Sequence, residues 1–205
     1  MLLEGSDGRS ANLLKALNLI AIAVLSVSLA ACAGLGGVRT IRGDWTGYSP
    51  GYLQYAASKG SLATIVSGDA FAGTPTNAVE EHVLAEMSNR PFGVGPIAFV
   101  RYPFGQNTPA LFVSMVFNPG PSFDSWAACD PERAPAAGGQ ARPDGSIRIV
   151  AAFCSSQRLL SGSVGYADGL SGLGDERFNR LIHLLSMDLF PPRDPNLGGG
   201  CDDCP

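Results

Sequence analysis

Charge is what this chain is short of. Only 16% of its 205 residues are charged, and the net charge is −4. A nucleic-acid binder needs a basic face for phosphate, so no nucleic-acid partner is expected. Histidine is scarcer, with only His82 and His183. No second CxxC or histidine pair accompanies Cys201-Asp202-Asp203-Cys204, so a four-ligand zinc site lacks its ligands. No serine stands in the G-x-S-x-G context of a nucleophile elbow. Neither glycine-rich stretch (Gly162 to Gly165, Gly169 to Gly174) has the lysine of a phosphate loop. No metal and no cofactor is therefore expected, and no catalytic residue is assigned. Internal repeats are also missing. What the chain does have is 45% apolar residues, enough for the core of one domain. It also has 26 glycines and 15 prolines, one residue in five, which excludes coiled coils and long helical bundles.

The clearest signal is at the N-terminus. Arg9 and Lys15 precede the apolar run Leu19 to Ala31, whose 13 residues suit the core of a signal peptide better than a bilayer span. Glu4 and Asp7 offset the two basic residues, a defect that a start site about ten residues further down would remove. The run closes on Leu29-Ala30-Ala31-Cys32, which resembles the lipobox of bacterial lipoproteins. That resemblance implies cleavage after Ala31 and a lipid on Cys32. Several acyl chains make such an anchor stable. The residue after the cysteine is Ala33 rather than aspartate, which by the same resemblance favours the outer membrane over the inner. The competing reading is an uncleaved helix, but the glycine-rich stretch Cys32 to Gly37 would insert poorly.

With Cys32 lipidated, Cys129, Cys154, Cys201 and Cys204 remain, and four cysteines allow three pairings. A periplasmic address permits disulfides. Cys129 with Cys154 is the favoured pair, because the bridge would pin a long loop to the end of a strand. Cys201 and Cys204 would then close on each other or stay reduced. A redox CxxC sits after a strand at a helix N-terminus. This one follows three glycines, and its two aspartates would raise the thiol pKa. Residues 197–205 read as a flexible tail.

The mature chain reads as a tether over 32–48 and a single domain over 49–196. Ser49-Pro50 starts a short helix that stops at Gly60. Trp45, Tyr48, Tyr52 and Tyr55 cluster around it. They suit a binding face or a contact with lipid headgroups, but packing on the domain is favoured because aromatic rings dominate burial. Strands are expected at Ser61 to Ser67, Ile97 to Tyr102 and Ala110 to Phe117. A helix is expected over 77–89, with Asn77 as its cap and Val79, Val83, Leu84 and Met87 as its apolar stripe. Residues 118–145 form a long loop, tacked down by Trp126 and Cys129. A hairpin follows, Ser146 to Cys154 and Arg158 to Tyr166. The glycines of the second strand suggest a bulge or a close approach of backbone. The last helix starts near Asp175, with Phe178, Leu181, Ile182, Leu185 and Leu189 on one face. This order predicts an α+β domain: an antiparallel sheet of four to five strands with two main helices on one face.

Four short motifs then carry a resemblance. Ser67-Gly68-Asp69-Ala70-Phe71, Val116-Phe117-Asn118-Pro119, Ala151-Ala152-Phe153-Cys154 and Leu189-Phe190-Pro191-Pro192 occur in that order. Together they resemble a group of small proteobacterial lipoproteins, over about residues 52 to 196. Such chains usually have Gly-Asn-Pro-Phe where this one has Gly-Asp-Ala-Phe. The resemblance implies a compartment and a fold and supplies no activity.

The candidate binding residues are Asp69, at a strand end in a glycine turn, Phe71 beside it, Trp45 and Tyr52. The competing reading of Asp69 is a turn that satisfies its own backbone. His82 and His183 read as surface or half-buried helix residues. The reading that results is a lipid-anchored envelope protein that meets the membrane through its anchor, faces the periplasm and binds an envelope partner. The alternatives are a small periplasmic enzyme, hydrolase-like or thiol redox, and a purely structural lipoprotein.

Overall fold

A computed structural model describes residues 37–193, apart from 46, 89, 91, 105, 106 and 108. The signal segment 1–31, Cys32 and the tail with Cys201 and Cys204 lie outside the described residues. The strands are β1 (Arg39–Arg42), β2 (Ser61–Ser67), β3 (Ala98–Arg101), β4 (Leu111–Phe117), β5 (Ile147–Ser155) and β6 (Arg158–Ala167). The helices are α1 (Pro50–Ser58), α2 (Thr76–Ser88), a short α3 (Arg133–Ala136) and α4 (Glu176–Leu189), with a 3₁₀ turn at Ala127–Cys129. The class is α+β, built on one six-stranded sheet in the order β1-β6-β5-β4-β2-β3.

Two expectations about the sheet need correction. The sheet is mixed, not antiparallel, because β2 runs parallel to both of its neighbours, β3 and β4. The α2 crossover returns the chain parallel to β2, as a helical crossover requires. The chain then passes β2 and adds β4 on its far side, so β2 lies between β3 and β4. The sheet is also larger than four to five strands, since the supposed tether 32–48 supplies β1. Arg39-Thr40-Ile41-Arg42 pairs antiparallel with β6, Arg39 opposite Tyr166 and Ile41 opposite Val164. A short, charged strand is a common way to finish a sheet edge, and it carries no alternating apolar pattern to announce it. The compact unit accordingly begins at Gly37, not Ser49.

The remaining elements follow local chemistry. Ser49 Oγ accepts from Gly51 N at the head of α1, and Pro50 takes the first helical position. Asp175 caps α4, accepting from Arg177 N at 3.0 Å. The expected Asn77 cap is displaced: α2 starts at Thr76, and Ala78 N and Val79 N donate to the Pro75 carbonyl. The β5–β6 hairpin closes through Ser156, whose φ of 54° is left-handed.

Alternate residues of the strands point to opposite sides, and two apolar clusters result. The first combines Val113, Met115 and Phe117 of β4 and Ile147, Ile149, Ala151 and Phe153 of β5 with buried residues of α1, α2 and α4. Phe178 is at its centre, with Phe71 and Phe117 rings 5.1 and 6.1 Å away. The second combines Phe112, Val116, Val150, Ala152 and Cys154 with Ala128, Cys129 and Ala134 of the long loop. A disulfide joins Cys129 to Cys154 in that second cluster. The strand glycines admit close neighbours. A Cβ at Gly162 would lie 2.5 Å from the Ser125 side chain, and one at Gly165 would lie 2.8 Å from Leu181 Cδ1. The bulge is elsewhere, between Phe153 and Cys154.

Candidate binding groove

A broad opening lies beside α1. Leu53 and Ala56 turn into the core, which leaves Tyr52 half-buried and Tyr55 54% exposed along the outer side of the helix. Across from them runs the beginning of β4, Ala110 and Leu111, with Ser155 of β5 opposite Leu111. The cavity between these walls is about 540 Å³. A second hollow of about 410 Å³ shares Tyr55, Ala110 and Leu111 and continues past Lys59 toward Val100 and Arg101 of β3. The Lys59 ammonium sits over the Tyr55 ring at 5.4 Å. The Arg101 guanidinium is ion-paired with Glu80 of α2. Burial raises the Glu80 carboxyl above its ordinary range, against the pull of Arg101. The helix is held in place by Tyr48, which is buried, lies edge-on to Phe153 and donates its hydroxyl to the Pro191 carbonyl at 3.0 Å.

Tyrosine and serine hydroxyls on an apolar floor can bind and orient a ligand. The first cavity's lining includes neither a histidine nor a carboxylate, so nothing there activates a serine. The two histidines are placed elsewhere. His82 Nε2 bonds Asn179 Oδ1 at 2.7 Å, and its ring stacks on Phe178. His183 is half-buried with Nδ1 unbonded, and desolvation, aided by Arg90, lowers its pKa. Among the described residues, no group of His, Cys, Asp and Glu could hold a metal ion.

Of the four candidate binding residues, Tyr52 lines the groove, joined there by Tyr55 of the same aromatic cluster. Asp69 instead fastens a turn. Its carboxylate accepts from the Thr76 hydroxyl at 3.1 Å, its N–H donates to Gly139, and its carbonyl accepts from Asn118 Nδ2. Phe71 is buried against Phe178. Trp45 donates Nε1 to the Asp188 carbonyl at 3.1 Å and lies under the Arg42 guanidinium. Asp188 is itself buried, and its carboxylate accepts from Arg42 Nε at 2.7 Å and Ser163 Oγ at 2.9 Å. Sequence reasoning missed Leu111, Ala110 and Ser155, because nothing local marks a strand end as a groove wall. It also missed Asp188, whose charge within the α4 pattern was the available signal.

No family model matches the chain, and no curated protein matches it. Among solved structures it is similar to a single-residue variant of the PelC dodecamer from Paraburkholderia phytofirmans, with a TM-score of 0.41 and 12% identity over 75% of this chain and 98% of that one. A second structure of the PelC dodecamer from the same organism gives a TM-score of 0.38 and 11% identity, over 77% and 98%. Both values lie below the level at which a shared fold is established.

Proposed function

We propose that the chain is a lipid-anchored protein of the bacterial envelope, facing the periplasm from the outer membrane, and that its domain binds an envelope component. The observation that carries this reading is Leu29-Ala30-Ala31-Cys32 at the end of a 13-residue apolar run. The Cys129–Cys154 disulfide supports it, since such bridges persist in oxidising compartments. The groove beside Tyr52 and Tyr55 is the seat assigned to the ligand, on the strength of its size and its hydroxyl-lined apolar floor. Among the described residues, no helix is long and apolar enough to cross a membrane.

Intact mass spectrometry on protein extracted from its native membrane tests the proposal. A chain beginning at a lipidated Cys32, with two thiols released only on reduction, is the expected result. An unprocessed N-terminus with every thiol free would overturn it. For the groove, a photoreactive residue at position 55 should give a discrete adduct in cells that Leu111→Arg abolishes. An adduct insensitive to Leu111→Arg would remove the groove from the proposal.

A further inference from the structure

Two of the large apolar side chains left exposed lie on one side of the sheet, near its β1 edge. Ile41 is 54% exposed and pairs with Val164, which packs on the loop-covered cluster, so Ile41 faces that same side. Trp126 is 53% exposed. It follows Ser125, whose side chain sits over Gly162, and the Gly162 carbonyl accepts from Gly43, one residue past β1. The loop therefore brings Trp126 to the β6 segment that the β1 edge runs along. Arg39 shares the face with Ile41, its guanidinium over Tyr166 at 4.9 Å, while Arg42 turns to the opposite face and its ion pair with Asp188. An indole, a branched aliphatic and an arginine on one rim suit the headgroup layer of a bilayer.

Chain length supplies the second argument. Arg39 is seven Cα steps from Cys32, so a lipid on Cys32 holds the bilayer within about 25 Å of β1 at full extension. A weak surface so close to its target docks intramolecularly, at the high effective concentration that a short linker gives. We propose that the β1 rim, with Ile41, Trp126 and Arg39, rests on the lipid headgroups of the membrane that holds the anchor. The inference depends on the lipid-anchor proposal and deepens it: the anchor also sets how the domain stands. The Tyr52 side of α1 is then left for a partner.

The chain has two tryptophans, Trp45 and Trp126, which makes the test direct. The lipidated full chain is placed in phosphatidylethanolamine–phosphatidylglycerol vesicles carrying a headgroup-proximal spin label, after intact mass has confirmed the acyl chains. A chain without acyl chains defeats the anchor proposal before the docking question arises. In Trp45→Phe, the Trp126 emission should shift to the blue and be lost to the lipid quencher, and Ile41→Glu added to it should restore the emission. Should Trp45→Phe fail to fold, the wild-type chain compared with Trp126→Phe gives the same readout by difference. A lipidated chain whose Trp126 is quenched by aqueous acrylamide and not by the lipid label overturns the docking and leaves the anchor standing. A Trp126 shielded from both quenchers also overturns it, because a protein partner or a second copy then covers the rim.

Discussion

On one side of the sheet, Phe178, Leu181, Ile182, Leu185 and Leu189 of α4 lie in one apolar cluster with alternate residues of β4 and β5. On the other side, a loop of 28 residues (118–145) provides the cover, with only Ala128, Cys129 and Ala134 fully buried in its cluster. Large side chains hold the first side. Specific polar links and one covalent bond hold the second. Ser67 Oγ donates to Ala134, Ser125 Oγ to Ala151, and Gly139 N to Phe117. The Arg148 guanidinium donates to the carbonyls of Pro119, Gly120 and Phe123. A regular helix satisfies its own backbone and needs only an apolar stripe to attach. An irregular segment must find partners for its backbone groups one at a time. The two sides show both solutions on a single sheet.

Substitutions that break one side and spare the other should separate these modes. The largest effect is expected from Phe178→Ala, which empties the centre of the helical side and should cost about 3–5 kcal/mol in denaturant unfolding. Cys129→Ser comes next. The bridge spans 25 residues of sequence, and loop-closure entropy of that size is worth about 3.5 kcal/mol. Hydrogen exchange should show the loss concentrated in 118–145, with α4 little changed; uniform loss would mean that the loop and the helix are one cooperative unit. Asp188→Ala should cost about 1–3 kcal/mol, since a buried carboxylate with two side-chain donors is removed, and should speed exchange in β1 first.

The smallest effect is one of pH. The Asp175 carboxyl is held well below the ordinary aspartate range, chiefly by hydrogen bonds from Arg177 and then from Ser171. A depressed carboxyl contributes stability that is complete at neutral pH and is lost as pH falls below the unfolded value of 3.8. Asp175→Asn keeps an N-cap and removes the titration. The stability gap between wild type and variant should therefore narrow as pH drops below about 4, and a constant gap would assign the effect to the cap alone.

The elements built on strong local patterns could be read from the sequence. The α4 stripe, the β5–β6 hairpin and the Ser49-Pro50 helix start stand within a residue or two of where the pattern puts them. The Cys129–Cys154 pairing could also be read, because one cysteine was in the loop and the other at the strand end it had to reach. Pairing direction could not. Ser61 to Ser67 and Ala110 to Phe117 are short apolar runs, and such runs fit parallel and antiparallel neighbours equally well. β1 was hidden because an edge strand of two arginines, a threonine and one isoleucine resembles a linker. Asn77 lost the cap to a helix that begins one residue earlier, behind Pro75. At the groove, Tyr52 was found because aromatics draw attention, while Leu111 and Ser155 are ordinary strand residues until β4 and β5 come side by side. Trp45 and Phe71 have the composition of a binding face and are used as fastenings.

The position of β1 has a consequence for the order of assembly. Its partner is β6, so Arg39 waits for Tyr166, more than a hundred residues later in a chain made from the N-terminus. The β4–β5–β6 meander and the hairpin within it involve much shorter separations and close at lower entropic cost. The first strand to emerge is thus the last to find its place, and until then the side of β6 that it covers stays open to any other strand in reach.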